Sequence, residues 1–163
     1  MKPISHFRED GHMAAKEYLN QVRLLDRQIS AKLEQIARLR SLTEKITVSL
    51  SPTAGTGSPN PTALQDRIIR LVEAEEELNA EIDRLVDLKQ EISEVLKLVQ
   101  NDLSRIVLEE RYLNGRTWGE IIGIMGYHER TVFKFHDQGL REINTVMKTD
   151  EFRRIHEKGS KWQ

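Results

Sequence analysis

From about Ala14 to Val48 the apolar residues Tyr18, Val22, Leu25, Ile29, Ile36 and Leu39 recur at spacings of three, four or seven, and Leu33 and Leu42 widen the stripe. Such positions share one face of a helix with 3.6 residues per turn, while Arg23, Arg27, Glu34, Arg38 and Arg40 fall mostly elsewhere. The pattern predicts one long amphipathic helix. A second series, Leu64, Ile68, Leu71, Leu78, Ile82, Leu85, Ile92, Leu96 and Val99, keeps a seven-residue beat through about five heptads. Glu75 and Lys89 fall on core-type positions of that beat, which disfavours a strict parallel zipper. At ~1.5 Å per residue each helix is roughly 50 Å long.

Between the two series lies Ser51 to Thr62, which holds three of the four prolines and two of the nine glycines. Proline removes a backbone donor and disfavours helix at the residue before it, so this stretch predicts a linker. Two long helices joined by a linker fold back most simply into an antiparallel hairpin. Pairing of helices from two chains, a homodimer, would bury the same stripes; the hairpin is preferred because its partner is tethered. Glu73, Glu75, Glu76 and Glu77 read as a solvated helix face.

Past Asn101 the pattern shortens. Asp102 is expected to cap a helix from Leu103 to Leu113, ended by Asn114 and Gly115, which both tolerate a left-handed backbone. Thr117 to Glu120 reads as a capping box, in which the Thr117 hydroxyl accepts from the Glu120 backbone and the Glu120 carboxylate reaches back. A short helix carrying Trp118, Ile121, Ile122 and Met125 follows, stopped by Gly126. A third helix follows, with apolar positions at Val132, Phe135, Leu140, Ile143, Val146 and Met147. Short helix, glycine-bearing turn and longer helix make a helix-turn-helix, whose second helix enters a DNA major groove.

With Val132, Phe135 and Leu140 inward, Glu129, Arg130, Phe133, Lys134 and Asp137 form one outward stripe. Arg130 can donate to guanine, Glu129 can accept from a cytosine amine, and Phe133 can meet a thymine methyl. Lys134, Arg141 and Arg116 suit phosphates. The structural alternatives are ordinary. Trp118 and Phe135 read as core, Phe133 divides evenly between core and surface, and Arg130 with Lys134 could be a solvated face.

The charge balance is modest. The chain has 163 residues, 25 Lys and Arg and 26 Asp and Glu. Residues 103 to 163 hold 11 basic against 9 acidic residues, a weak bias for a DNA-binding segment. There is no cysteine, which excludes a disulfide scaffold, Cys-ligated zinc and a cysteine nucleophile. His128 and His136 stand eight apart, which is not a metal-ligand spacing. No nucleophile turn or phosphate loop is present, so no enzyme, catalytic residue, metal or cofactor is expected. No apolar run could cross a bilayer, and a cytoplasmic protein without membrane contact is expected.

The runs Leu108 to Leu113 (LEERYL), Thr117 to Ile121 (TWGEI), Met125 to Tyr127, Arg130 to Val132 and Gly139-Leu140 resemble region 4 of the bacterial sigma-70 family. Together with Ala15 to Asp26 (AKEYLNQVRLLD), the chain is more similar to small sigma-like regulators of phages and prophages of Gram-positive bacteria, of the late-transcription or autolysin-regulator kind. The resemblance runs roughly from Met13 to Val146. It implies promoter DNA as ligand and RNA polymerase as a further partner, and it puts the base-facing positions on Glu129, Arg130, Phe133 and Lys134. His128 stands where a Ser or Thr cap is usual, and Phe133 where such factors often carry Arg. Gly139 replaces the usual alanine, which weakens a helix by about 1 kcal/mol. Residues 13 to 100 hold a single aromatic, Tyr18, and thus no cluster able to trap a melted strand. A protein of this kind would not open a promoter unaided.

The expectation is an all-α protein. Residues 1–12 form a disordered tail or vector-derived or alternative-start residues, with Met13 as the natural start. Residues 13–100 form a long coiled-coil-like hairpin with linker 51–62, 101–148 a sigma region 4-like helix-turn-helix, and 149–163 a tail. The expected function is sequence-specific binding of double-stranded DNA in transcriptional control. The alternative is a coiled-coil interaction protein that binds RNA polymerase or another protein.

Overall fold

A computed structural model describes the backbone of residues 11–49 and 61–160 and the side chains of 15–45 and 62–159. The protein is all-α: α1 (Gly11–Ser49), α2 (Pro61–Leu96), α3 (Asp102–Leu108), α4 (Trp118–Met125), α5 (Glu129–Val146) and α6 (Asp150–Ser160), with no strand among the described residues. A π-helical turn, Glu109–Leu113, continues α3. The expected tail at 1–12 lies outside the described residues as far as residue 10, while Gly11 and His12 belong to α1. Of the expected linker 51–62, residues up to 60 lie outside them as well; Pro61 and Thr62 open α2.

The chain divides into two units, residues 25–84 and residues 1–24 with 85–163. In the first, Leu25, Ile29 and Ile36 of α1 and Leu78 of α2 are buried. Lys32 Nζ pairs with Glu81 at 2.8 Å and Glu77 at 3.3 Å, and Arg40 Nη2 pairs with Glu75 at 2.6 Å. The hydrogen bond to Glu81, ahead of other effects, holds the Lys32 ammonium pKa above its ordinary value. These partly exposed pairs contribute about 0–1 kcal/mol each. Their main consequence is to give Glu75, on a core-type position, an opposite charge. Leu33, Leu42, Ile68 and Ile82, read from sequence as part of the apolar stripes, are instead exposed.

In the second unit the core is drawn from every helix: Tyr18, Leu19 and Val22 of α1, Ile92 and Leu96 of α2, Leu108 of α3, Ile121 of α4, Ile143 of α5 and Phe152 of α6 are all buried. The α1 backbone is tied to α5 by Ala15 N donating to Asn144 Oδ1 at 3.0 Å. Asn101, not Asp102, caps α3: its side chain accepts from Ser104 N at 2.8 Å, and Asp102 sits in the first turn. Glu142 of α5 accepts from the Gln100 backbone N–H at 2.7 Å, which fastens this start to α5.

The segment 149–163, read from sequence as a tail, is helical from Asp150 to Ser160. The Phe152 ring stands edge-on to Tyr18 at 5.4 Å. His156 Nδ1 lies 2.8 Å from Glu91 Oε1, which also accepts from the Tyr18 hydroxyl at 2.7 Å. Burial, and then the Glu91 charge, pushes the Tyr18 hydroxyl pKa far above its ordinary value. Phe152, Ile155, His156 and Gly159 share the spacing of one helix face, and the partners of that face lie far off in sequence.

Candidate nucleic-acid interface

The segment from Asn114 to His128 is built by local chemistry. Gly115 takes φ +69°, left-handed, while Asn114 remains right-handed, so glycine alone makes the reversal. Arg116 Nε donates to Glu110 Oε2 at 2.6 Å across the bend. The expected capping box is present: Glu120 N donates to Thr117 Oγ1 at 3.4 Å and Thr117 N to Glu120 Oε2 at 2.7 Å. The bond from the Thr117 backbone, more than any other influence, holds the Glu120 carboxyl pKa below its ordinary value. Gly126 ends α4 at φ +67°. Tyr127 and His128 complete a three-residue connection to α5, and His128 caps α5 without a side-chain hydrogen bond.

The two faces of α5 differ in kind. Val132, His136, Leu140 and Ile143 are buried. Glu129, Arg130, Lys134, Asp137 and Arg141 are exposed and Phe133 is half-buried. Glu129, Arg130, Phe133, Lys134, Asp137 and Arg141 line one open depression of about 680 Å³. Six of the seven residues singled out from the sequence therefore lie together. Arg116, the seventh, does not line it: its guanidinium pairs with Glu110 and lies 4.0 Å from Glu120. A cation held this way braces the bend and does not join the six residues of the depression. Among the described residues Arg130, Lys134 and Arg141 enter no ion pair, and they outnumber Glu129 and Asp137 on the same face.

Beneath this face lies a cluster that the sequence pattern did not reveal. The Trp118 ring is 4.7 Å from Phe133, centroid to centroid, and stands edge-on to His136 at 4.9 Å. The Arg111 guanidinium carbon lies 4.7 Å from the centre of the indole, a cation–π contact. The Tyr112 hydroxyl is 3.0 Å from His136 Nε2, and His136 Nδ1 is 3.5 Å from Asp137 Oδ1. A carboxylate only accepts, so the proton belongs on Nδ1 and Nε2 accepts from Tyr112. Burial lowers the His136 pKa despite Asp137, and Lys16 and Arg111 act in the same direction. Burial likewise raises that of Tyr112.

The π turn is what delivers Arg111 and Tyr112 here. Asn114 N bonds Glu109 O, five residues back, and Arg116 N bonds Glu110 O. One added residue per turn leaves no trace in a list of apolar spacings, although such turns recur at functional sites.

Among the described residues no group of three or more His, Asp and Glu could hold a metal ion, and no helix is long and apolar enough to cross a membrane. Comparison with family models, with curated proteins and with solved structures finds no match to this chain.

Proposed function

We propose that α4, the Gly126–His128 connection and α5 form a helix-turn-helix of the sigma region 4 kind, which binds double-stranded DNA sequence-specifically to regulate transcription, in a phage or prophage setting. One observation carries the reading. The outward side chains of α5, starting straight after the tight turn, converge on one open depression with three cations, two acceptors and one aromatic ring. Such a set offers guanine donors, cytosine and adenine acceptors and an apolar contact, the chemistry that base edges in the major groove require. The helices α1 and α2 are read as an antiparallel hairpin, since Lys32 pairs with Glu81 while Arg40 pairs with the earlier Glu75. RNA polymerase is the natural partner of such a regulator.

The test is a selection of bound duplexes from a randomised library, followed by titration of the best duplex across salt. Affinity should fall steeply as salt rises, because cations displace counterions from phosphates. Arg130→Ala should weaken binding to that duplex by about 1–3 kcal/mol with an unchanged circular dichroism spectrum. An enriched duplex that Arg130→Ala binds as tightly as the wild type contradicts the reading.

A second reading, a coiled-coil protein that binds polymerase or another protein, draws on Ile68, Ile69 and Val72 of α2, which are 45%, 54% and 47% exposed. Apolar side chains left in water along a helix suit a protein partner. Binding that is indifferent to ionic strength and to Arg130→Ala would favour it.

A further inference from the structure

We propose that Phe133 senses the C5 methyl group of a pyrimidine and that Trp118 is the positioning residue that fixes its ring. This rests on the DNA-binding reading of α5 and deepens it. The Phe133 ring is half-buried and leans on the Trp118 indole at 4.7 Å with an interplanar angle of 59°. Trp118 is itself held: Arg111 covers its ring at 4.7 Å, and His136 meets it edge-on at 4.9 Å. Both supports are anchored. Arg111 Nη1 donates to the Arg116 carbonyl at 2.8 Å, and His136 is bonded to the Tyr112 hydroxyl.

A phenylalanine alone on a helix surface samples several rotamers, whereas an aromatic neighbour selects one. The outcome is a fixed apolar edge among the charges of the depression, one turn after Arg130 and one turn before Asp137. In the major groove of unmodified DNA the apolar group on a base edge is the thymine methyl. A three-residue advance along a helix is about 4.5 Å, close to the ~3.4 Å between successive bases of a strand. Phe133 therefore addresses a base pair beside the one that Arg130 addresses. The recognised duplex carries a thymine at the step next to the guanine.

The probe is the best duplex from the library, with each thymine replaced in turn by uracil, which removes only the methyl group. Affinity is read by fluorescence anisotropy, and folding by thermal melting. One replacement should weaken wild-type binding about fourfold, the scale of one buried methyl group, and the others should change little. Phe133→Ala should bind the thymine and uracil forms of that position equally, with its salt dependence kept. Trp118→Phe should retain the discrimination, and a folded Trp118→Ala should lose it while still binding. If Trp118→Ala does not fold, Phe133→Ala and Trp118→Phe decide: loss of discrimination in Trp118→Phe with wild-type affinity would contradict an aromatic support.

A duplex indifferent to every thymine-to-uracil change, or discrimination that survives Phe133→Ala, overturns methyl sensing. Discrimination that survives in folded Trp118→Ala overturns the positioning role. A library that yields no duplex overturns the DNA-binding reading and this inference with it; a duplex that depends on Arg130 but on no methyl overturns this inference alone.

Discussion

Two glycines inside helices show how differently one residue type can serve. A β-carbon on Gly139 of α5 would stand 2.7 Å from Leu108 Cδ1 and 3.1 Å from its Cγ, and Leu108 is fully buried. Gly139 thus lets α3 approach α5 closely. The glycine that weakens the helix is the condition for that packing. A β-carbon on Gly123 of α4 would meet nothing within 4 Å. Alanine at either position gains about 1 kcal/mol of helix propensity, and at Gly139 it also costs about 1–3 kcal/mol of overpacking. Gly123→Ala should therefore raise the thermal midpoint and Gly139→Ala should lower it. Equal shifts in the two melts would contradict the packing account.

At the scale of elements, α5 is fastened to the π turn through a titrating pair. His136 is neutral and accepts from Tyr112, with its pKa lowered by burial. The unfolded chain then takes up this proton first on acidification, so stability falls as pH drops through the ordinary imidazole range near 6.5. Below the lowered folded pKa that loss levels off. Trp118 meets the ring edge-on, Tyr112 and Asp137 lie against its nitrogens, and the Lys16 and Arg111 charges also act on it. His136→Gln should flatten the fall in thermal midpoint between about pH 7.5 and pH 5.5; a slope equal to wild type would exclude His136 as its source. The elements also mark what a sequence can disclose. Thr117, Glu120, Gly126 and the outward stripe of α5 were legible because caps and one-face spacings are written within a few neighbouring residues. The π turn, the Arg116–Glu110 brace across six positions and the docking of α6 were not. Each depends on a shift of register or on partners such as Tyr18 and Glu91, which lie far along the chain from α6.

For the whole molecule, the two units carry different chemistry. Residues 25–84 offer cross-helix ion pairs and exposed apolar side chains, while the unit that holds α5 offers the cation-bearing depression. On the proposed function, duplex DNA lies in this depression. The chain has no cysteine, so single cysteines can report on it. Asp137→Cys places a thiol on the exposed edge of α5, and Ser41→Cys places one on the exposed surface of α1. Maleimide labelling of each is timed with and without a saturating selected duplex. DNA should slow labelling at position 137 at least about tenfold, a protection of roughly 1.4 kcal/mol or more, and leave position 41 unchanged. Equal labelling at position 137 with and without bound DNA would contradict that placement.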